Sequence, residues 1–136
     1  MKRRSKLIVA VLVAAAIATG AYSMSLMSSE SVYSKRGSFA YWLTISRVIK
    51  EVPEINPSGT VQFYASAGDG PKLPESAVAY RSHSRPDDIL RDIRKYLTDL
   101  GYRARDDGSY VRGTSVITLE ITTEGAETKL NVRENY

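Results

Sequence analysis

The sequence predicts an α+β fold, with a mainly antiparallel sheet carrying one or two helices on one face as a two-layer sandwich, preceded by an N-terminal transmembrane helix. Three observations predict it. The chain opens with a long uncharged apolar segment, one later segment has the apolar spacing of an amphipathic helix, and most others alternate apolar and polar residues. A helix with one apolar stripe and a sheet with one apolar face bury each other, so the two are expected to form packed layers.

The N-terminal apolar segment is long enough to cross a bilayer. Leu7 to Met27 contains no charged residue. A helix of this length, at about 1.5 Å per residue, spans the roughly 30 Å hydrocarbon core. Four basic residues lie between Lys2 and Lys6, so the positive-inside rule predicts a cytoplasmic N-terminus and a domain outside the cytoplasm. The predicted location is therefore the cell membrane, with a single span.

A cleaved secretory signal peptide is the main alternative, because the most strongly apolar part ends near Ala18 and small residues follow it. Apolar character resumes at Tyr22 and continues through Met24, Leu26 and Met27, which favours a retained anchor over a mature N-terminus. A buried cytosolic helix is a third interpretation. The predicted organisation is a membrane anchor (or signal peptide) at 1–27, a Ser-rich linker at 28–37, and a small extracytoplasmic α+β domain at 38–136.

The positive charge of the chain is concentrated at its N-terminus. The net charge is +4, but residues 1–36 carry six basic side chains and one acidic one, whereas residues 37–136 carry 13 basic and 14 acidic ones. A near-neutral domain lacks the main driving force for binding a phosphate backbone, so no nucleic-acid partner is expected. The absence of cysteine excludes disulfides, thiolate metal sites and cysteine nucleophiles.

Two segments after the linker have helical signals. Ser38 is a suitable N-cap and Pro53 a suitable stop, which predicts a helix between them, although its β-branched residues keep a strand as the alternative. The predicted apolar face of this helix consists of Phe39, Trp42, Ile45, Ile49 and Val52. The clearer helix runs from Arg85 to Leu100 and ends at Gly101. Its predicted apolar face consists of Ile89, Leu90, Ile93, Tyr96, Leu97 and Leu100.

The remaining segments predict strands. Residues 60–66 and 77–83 alternate as strands joined by a Gly- and Pro-containing loop. In the C-terminal part, Asp107 with Gly108 and Glu124 with Gly125 mark two turns between alternating segments. These turns predict a meander of short antiparallel strands.

Catalytic and metal-binding chemistry finds little support. His83 is the only histidine, and its serine neighbours on a strand point away from it, unlike the converging groups of a catalytic triad. A metal site would need carboxylates to complete it, and no metal-binding motif occurs. The aspartates available for such a site are Asp69, Asp87, Asp88, Asp106 and Asp107. We therefore predict no catalytic residue, metal or cofactor.

Candidate binding residues come from two features of the strands. Arg103, Arg105 and Arg112 lie on predicted strands of the C-terminal part, where a polar outer face could dock an acidic partner or a lipid headgroup. Tyrosine is frequent, at nine residues, and combines a packing ring with a wet hydroxyl, which suits an interface. Tyr64 and Tyr80, on the strands predicted at 60–66 and 77–83, are the candidates of this kind.

These observations lead to the expectation of a membrane-anchored extracytoplasmic interaction module without catalytic activity, whose partner is another envelope protein. A small extracytoplasmic hydrolase is the alternative and needs a cleft in which polar groups converge on a titratable residue. If the N-terminus is cleaved, the chain is instead a soluble exported binding protein.

Overall fold

The computed structural model describes residues 2–28, 31–69 and 71–136. Within these ranges the fold is α+β, with a seven-stranded antiparallel sheet, an N-terminal apolar helix and three shorter helices. These coarse features of the prediction are confirmed; the two-layer packing and the membrane crossing stay predictions. The elements are α1 (Lys2–Ser28), β1 (Val32–Ser34), α2 (Phe39–Thr44), α3 (Arg47–Lys50), β2 (Pro57–Ser66), β3 (Glu75–Ser82), α4 (Pro86–Asp99), β4 (Arg103–Ala104), β5 (Tyr110–Arg112), β6 (Ser115–Glu124) and β7 (Glu127–Asn135).

The sheet joins two local units through a pairing that is distant in sequence. The strand order is β1-β2-β3-β7-β6-β5-β4. Strands β4 to β7 form the predicted meander, and β2 with β3 forms a separate antiparallel pair. Helix α4 connects the two units. Every residue of β3 pairs with β7, from Glu75 opposite Asn135 to Ser82 opposite Thr128. The last strand of the chain therefore lies in the middle of the sheet.

One face of the sheet carries the hydrophobic core. Phe63, Val78 and Val132 are fully buried on adjacent strands, and register places Val78 opposite both of the others. The helices contribute to the same cluster with four side chains that are also fully buried, Ile49, Ile89, Ile93 and Leu97. Burying each such side chain stabilises the fold by roughly 1.5 to 3 kcal/mol. The predicted apolar face of α4 is thus confirmed at its central positions.

The helix predicted between Ser38 and Pro53 is divided in two. Ser38 caps α2 as expected, and its hydroxyl accepts a hydrogen bond from the Tyr41 N–H. The helix stops at Ile45, whose backbone is extended (φ −83°, ψ 132°), and Ser46 then caps α3 by accepting from the Ile49 N–H. A β-branched residue followed by a second N-cap serine explains the break.

The break also changes which residues of α2 face the core. Tyr41 is buried, with its ring edge-on to Phe63 at a centroid distance of 4.8 Å. The predicted core residues Phe39 and Trp42 are instead exposed. Ile45, Ile49 and Val52 are buried as predicted. The prediction failed for the first turn because it extended one helical periodicity across a segment that contains two helices.

The predicted linker at 28–37 contains a strand. Val32, Tyr33 and Ser34 pair with Ala65, Tyr64 and Phe63 of β2, which makes β1 an edge strand of the sheet. Val32 is buried at this edge. The serine-rich composition of the segment concealed a three-residue strand, which is too short to show an alternating pattern.

A buried carboxylate connects separate parts of the fold. Glu134 lies on the core face of β7, only 4% exposed. One carboxylate oxygen accepts from the Ser115 hydroxyl (2.6 Å) and the Tyr102 hydroxyl (3.0 Å), and the other accepts from the Ser46 hydroxyl (2.5 Å). Burial and the neighbouring carboxylate raise the pKa of Tyr102, which keeps its proton available for this bond. The network attaches two segments to β7, namely the start of α3 and the start of β6.

We expect Glu134→Ala to lower the free energy of unfolding by about 3 kcal/mol, because the buried Tyr102 hydroxyl and the half-buried Ser46 and Ser115 hydroxyls lose their carboxylate acceptor. Glu120→Ala is the matched control, since Glu120 is exposed on the neighbouring strand, and its effect is expected to stay within about 0.5 kcal/mol. Denaturant unfolding of the full chain in mild detergent, followed by circular dichroism, measures both. Equal effects of the two substitutions would show that the network does not hold the fold.

Candidate functional site

The face of the sheet opposite the core contains a groove whose floor is made of alanine. Ala77 and Ala79 are the outward residues in the middle of β3. Register places Tyr64 and Arg133 on either side of Ala77, and Gln62 and Asn131 on either side of Ala79. Directly opposite residues on neighbouring strands lie about 5 Å apart, so long side chains on β2 and β7 rise above the small ones between them. The groove has a volume of about 480 Å³.

Two tyrosines form one wall of this groove. Tyr33 on β1 and Tyr64 on β2 are cross-strand partners, and their rings lie 5.1 Å apart at an angle of 54°. Tyr33 is well exposed and Tyr64 is half-buried. Tilted aromatic pairs of this kind add about 0.5 to 1.5 kcal/mol beyond the burial of their surface. The pair therefore provides a stable apolar surface that remains open to solvent.

Polar and charged groups line the rest of the groove. The Arg133 guanidinium lies 3.9 Å from the Glu75 carboxylate, and Lys72 lies at the same end. Asn131 donates weakly to Glu120 on the next strand at 3.4 Å, and the Gln62 side chain is exposed. The lining thus offers amide donors and acceptors and charges of both signs beside an aromatic wall. Such a surface is suited to binding a polar chain with intermittent apolar groups.

The groove continues into a second hollow towards the other end of β3. This hollow has a volume of about 600 Å³ and is lined in part by Arg81, Lys129 and Glu127. Arg81 lies 3.3 Å from the Glu124 carboxylate and 3.7 Å from that of Glu127. Gln62 and Ala79 line both hollows, so the two form one continuous depression along the strand.

His83 lies near a serine and a carboxylate, but not in the order that a catalytic triad requires. The Ser58 hydroxyl donates to Glu127 at 2.5 Å, and His83 Nδ1 lies 3.9 Å from the same carboxylate oxygen. In a triad the imidazole stands between the nucleophile and the carboxylate and takes the hydroxyl proton. Here the serine hydrogen is directed at the carboxylate, so the imidazole does not stand between the serine and the carboxylate.

Of the two predicted tyrosine candidates, Tyr64 presents its side chain to the groove, whereas Tyr80 only borders the second hollow and has a buried side chain. Tyr80 is 3% exposed and belongs to the core. Its hydroxyl donates to the Pro53 carbonyl at 2.9 Å and accepts from the Ile55 N–H at 3.2 Å, and burial raises its pKa. Tyr80 was predicted as a candidate binding residue, but alternation along β3 turns its side chain away from the outer face and into the core.

The three predicted arginines lie elsewhere on the sheet. Arg103 and Arg112 are on β4 and β5, and Arg105 directly follows β4; all three are exposed. Arg112 lies over the Tyr102 ring at 4.8 Å and donates to the Leu100 carbonyl at 2.8 Å. Four strands separate β4 from β2 in the sheet, so these arginines lie away from Tyr64. Arg103 pairs with Val111, which places it on the opposite face of the sheet from Arg112, so the three arginines do not form one surface.

The aspartates considered for a metal site are not assembled into one. Among the residues that the structure describes, no group of three or more histidine, aspartate or glutamate side chains could hold a metal ion. Asp107 instead accepts from the N–H (2.9 Å) and hydroxyl (2.6 Å) of Ser109, which lowers its pKa. This is the chemistry of the predicted turn.

Sequence reasoning missed most of the groove. The predicted binding residues did not include five that line the groove: Tyr33, Gln62, Ala77, Ala79 and Asn131. The available signal was the small size of the two outward alanines on β3. The small size of these alanines indicates a groove only when the strands beside β3 are known. One of those strands, β7, lies about fifty residues away in the sequence, so local patterns do not identify it.

The opposite orientations of two adjacent residues on β3 can be tested with the same substitution. We expect Ala79→Phe to change the free energy of unfolding by less than about 0.5 kcal/mol, because the new ring enters the groove. Val78→Phe should cost about 2 kcal/mol through overpacking, because Val78 is fully buried. Denaturant unfolding of both variants measures the difference, and a larger loss for Ala79→Phe would contradict the assigned faces.

Comparison with known proteins supplies no precedent for this groove. No protein-family model, curated protein or solved structure matches the chain. A function for it therefore has to be argued from the contacts and surfaces of the chain itself.

Proposed function

We propose that this protein is a membrane-anchored interaction module without catalytic activity, whose C-terminal α+β domain lies outside the cytoplasm and binds another envelope protein. In this proposal the sheet and its helices form a two-layer domain, α1 crosses the cell membrane once, and the N-terminus stays in the cytoplasm. The observation that carries the proposal is the alanine-floored groove beside the Tyr33–Tyr64 wall.

The shape and chemistry of the groove favour a polypeptide segment as its occupant. Its floor at Ala77 and Ala79 leaves room for side chains, and Gln62 and Asn131 can exchange hydrogen bonds with a peptide backbone. The tyrosine wall favours an apolar or aromatic side chain of the partner. Charges of both signs at Arg133 and Glu75 favour a mixed-charge protein surface over a polyanion.

The anchor is supported by the composition and exposure of α1. Leu7–Leu26 is long and apolar enough to cross a membrane, and none of this stretch is buried against the rest of the chain. Exposed apolar side chains along a helix of this length need a lipid environment. A signal sequence near the N-terminus has the same properties, so retention of residues 2–26 in the mature protein is the feature to test.

Site-specific photocrosslinking tests the groove. A benzophenone amino acid in place of Gln62 is expected to give a discrete protein adduct in native membranes. Addition of Ala79→Phe should reduce that adduct about tenfold, which corresponds to ~1.4 kcal/mol of binding free energy. The measurement is the adduct intensity on immunoblots, with partner identity determined by mass spectrometry.

The same probe in place of Arg105 is the control, because Arg105 is exposed beside β4, at the edge of the sheet farthest from β1. It should not give the adduct seen from position 62. If position 105 gives the adduct and position 62 does not, the partner binds near Arg105 and the groove proposal is wrong.

The anchor is tested by alkaline carbonate extraction of native membranes together with the intact mass of the mature protein. We expect the protein to resist extraction and its mass to include α1, because α1 is apolar over its whole predicted span. A mass that shows cleavage between Ala18 and Ser23 would contradict the anchor and leave a soluble exported binding protein.

A further inference from the structure

Helix α2 has an apolar side that the rest of the domain leaves uncovered. Phe39, Trp42 and Leu43 are 48%, 66% and 41% exposed. Their three- and four-residue spacing places them on one side of the helix. Tyr41 points the other way, into the core. Three large exposed apolar side chains on so short a helix form a patch that is unusual for a surface in contact with water.

This patch is directly adjacent to the apolar stretch of α1. The Tyr22 and Phe39 rings lie 6.0 Å apart. Leu43 and Leu26 line the same cleft, which has a volume of about 180 Å³. Tyr22 and Leu26 both belong to the segment that is long enough to cross a membrane. The uncovered side of α2 is therefore continuous with the surface that the bilayer would cover on α1.

The position of Phe39 along α1 gives its expected depth. Tyr22 precedes Leu26, the last residue of the apolar stretch, by four residues, which is about 6 Å of helix. If α1 crosses the bilayer, Tyr22 lies inside the outer boundary of the hydrocarbon by about that amount. A ring in contact with Tyr22 must lie near the same depth, where headgroups meet acyl chains. Interfacial helices bury their apolar face about 5 to 10 Å into this region.

We infer that the Phe39, Trp42 and Leu43 side of α2 is seated in the outer interface of the bilayer, so that lipid covers Trp42 and holds the domain against the membrane. This inference rests on the proposed anchor. Tryptophan and tyrosine are the residues enriched at membrane interfaces, because they combine an apolar ring with a polar N–H or hydroxyl.

A cation at the edge of the patch is consistent with this placement. The Lys50 ammonium lies 5.2 Å from the Trp42 ring and donates to the Trp42 carbonyl at 2.8 Å. At headgroup depth such a lysine can contact lipid phosphates while its methylene groups stay on the apolar surface. The combination of continuity with α1, depth and a flanking cation favours lipid over a second protein as the occupant.

Trp42 is itself the probe that tests the inference, because it is the only tryptophan in the chain. The full chain is reconstituted into phosphatidylcholine–phosphatidylglycerol vesicles, with or without bromine on the acyl chains near the headgroup. We expect the Trp42 emission to be shifted to the blue, to be protected from acrylamide, and to lose most of its intensity in the brominated vesicles.

A matched control moves the tryptophan away from the membrane. Trp42→Phe combined with Ala126→Trp places it in the exposed β6–β7 turn. Nine residues of β7 separate this turn from Tyr136, which lines the cleft beside Leu26, and they span about 30 Å. This tryptophan should emit as in water, be quenched by acrylamide and be unaffected by bromine.

Carbonate extraction of the same vesicles separates the possible failures. If the protein resists extraction but Trp42 is quenched by acrylamide and not by bromine, the inferred lipid contact is wrong and the anchor still stands. Protection from acrylamide without quenching by bromine also overturns it, because protein then covers the patch. Chain that carbonate removes overturns the anchor, and the inference with it.

Discussion

Strand β7 pairs with all eight residues of β3, and this pairing assembles the sheet. It unites the β1–β2–β3 unit with the four-stranded C-terminal meander in a single seven-stranded sheet. The same register produces both faces of the domain. Val78 and Val132 meet on one side and complete the core, while Ala77 and Arg133 meet on the other and form part of the groove.

The helices are held to that sheet by two different kinds of contact. Helix α4 is attached mainly by burial of Ile89, Ile93 and Leu97. Its Tyr96 hydroxyl also donates to the Val48 carbonyl of α3 at 2.6 Å. Helix α3 has only four residues and depends in addition on the hydrogen bond from Ser46 to Glu134. A charged acceptor for several buried hydroxyls fixes orientation more narrowly than apolar contact does. The region between α2 and β2 buries little apolar surface, so hydrogen bonds contribute more to its position.

Features that depend on local sequence were predictable, and features that depend on distant neighbours were not. The extent of α4, with its Pro86 start and Gly101 end, and the turns at Gly108 and Gly125 follow from local periodicity and backbone preference. The break at Ile45 and Ser46 was also local, but it competed with a continuous apolar spacing. The groove could not be predicted, because one side of its alanine floor is formed by β7, which is distant in sequence from β3. The Tyr33 wall also lies on a strand too short to recognise.

The position of β1 has a consequence for any release of the domain from the membrane. Tyr33 lines the alanine-floored groove, yet it lies shortly after the helix that would hold the protein in the bilayer. A protease that cut the chain between Ser34 and Ser38 would shed residues 38–136 without β1. The shed fragment would lack half of its aromatic wall and expose the edge of β2 at Phe63 and Ala65. If the groove binds a partner as proposed, cleavage at this point would end binding as well as tethering. It would also leave an unpaired strand edge, which is a template for aggregation.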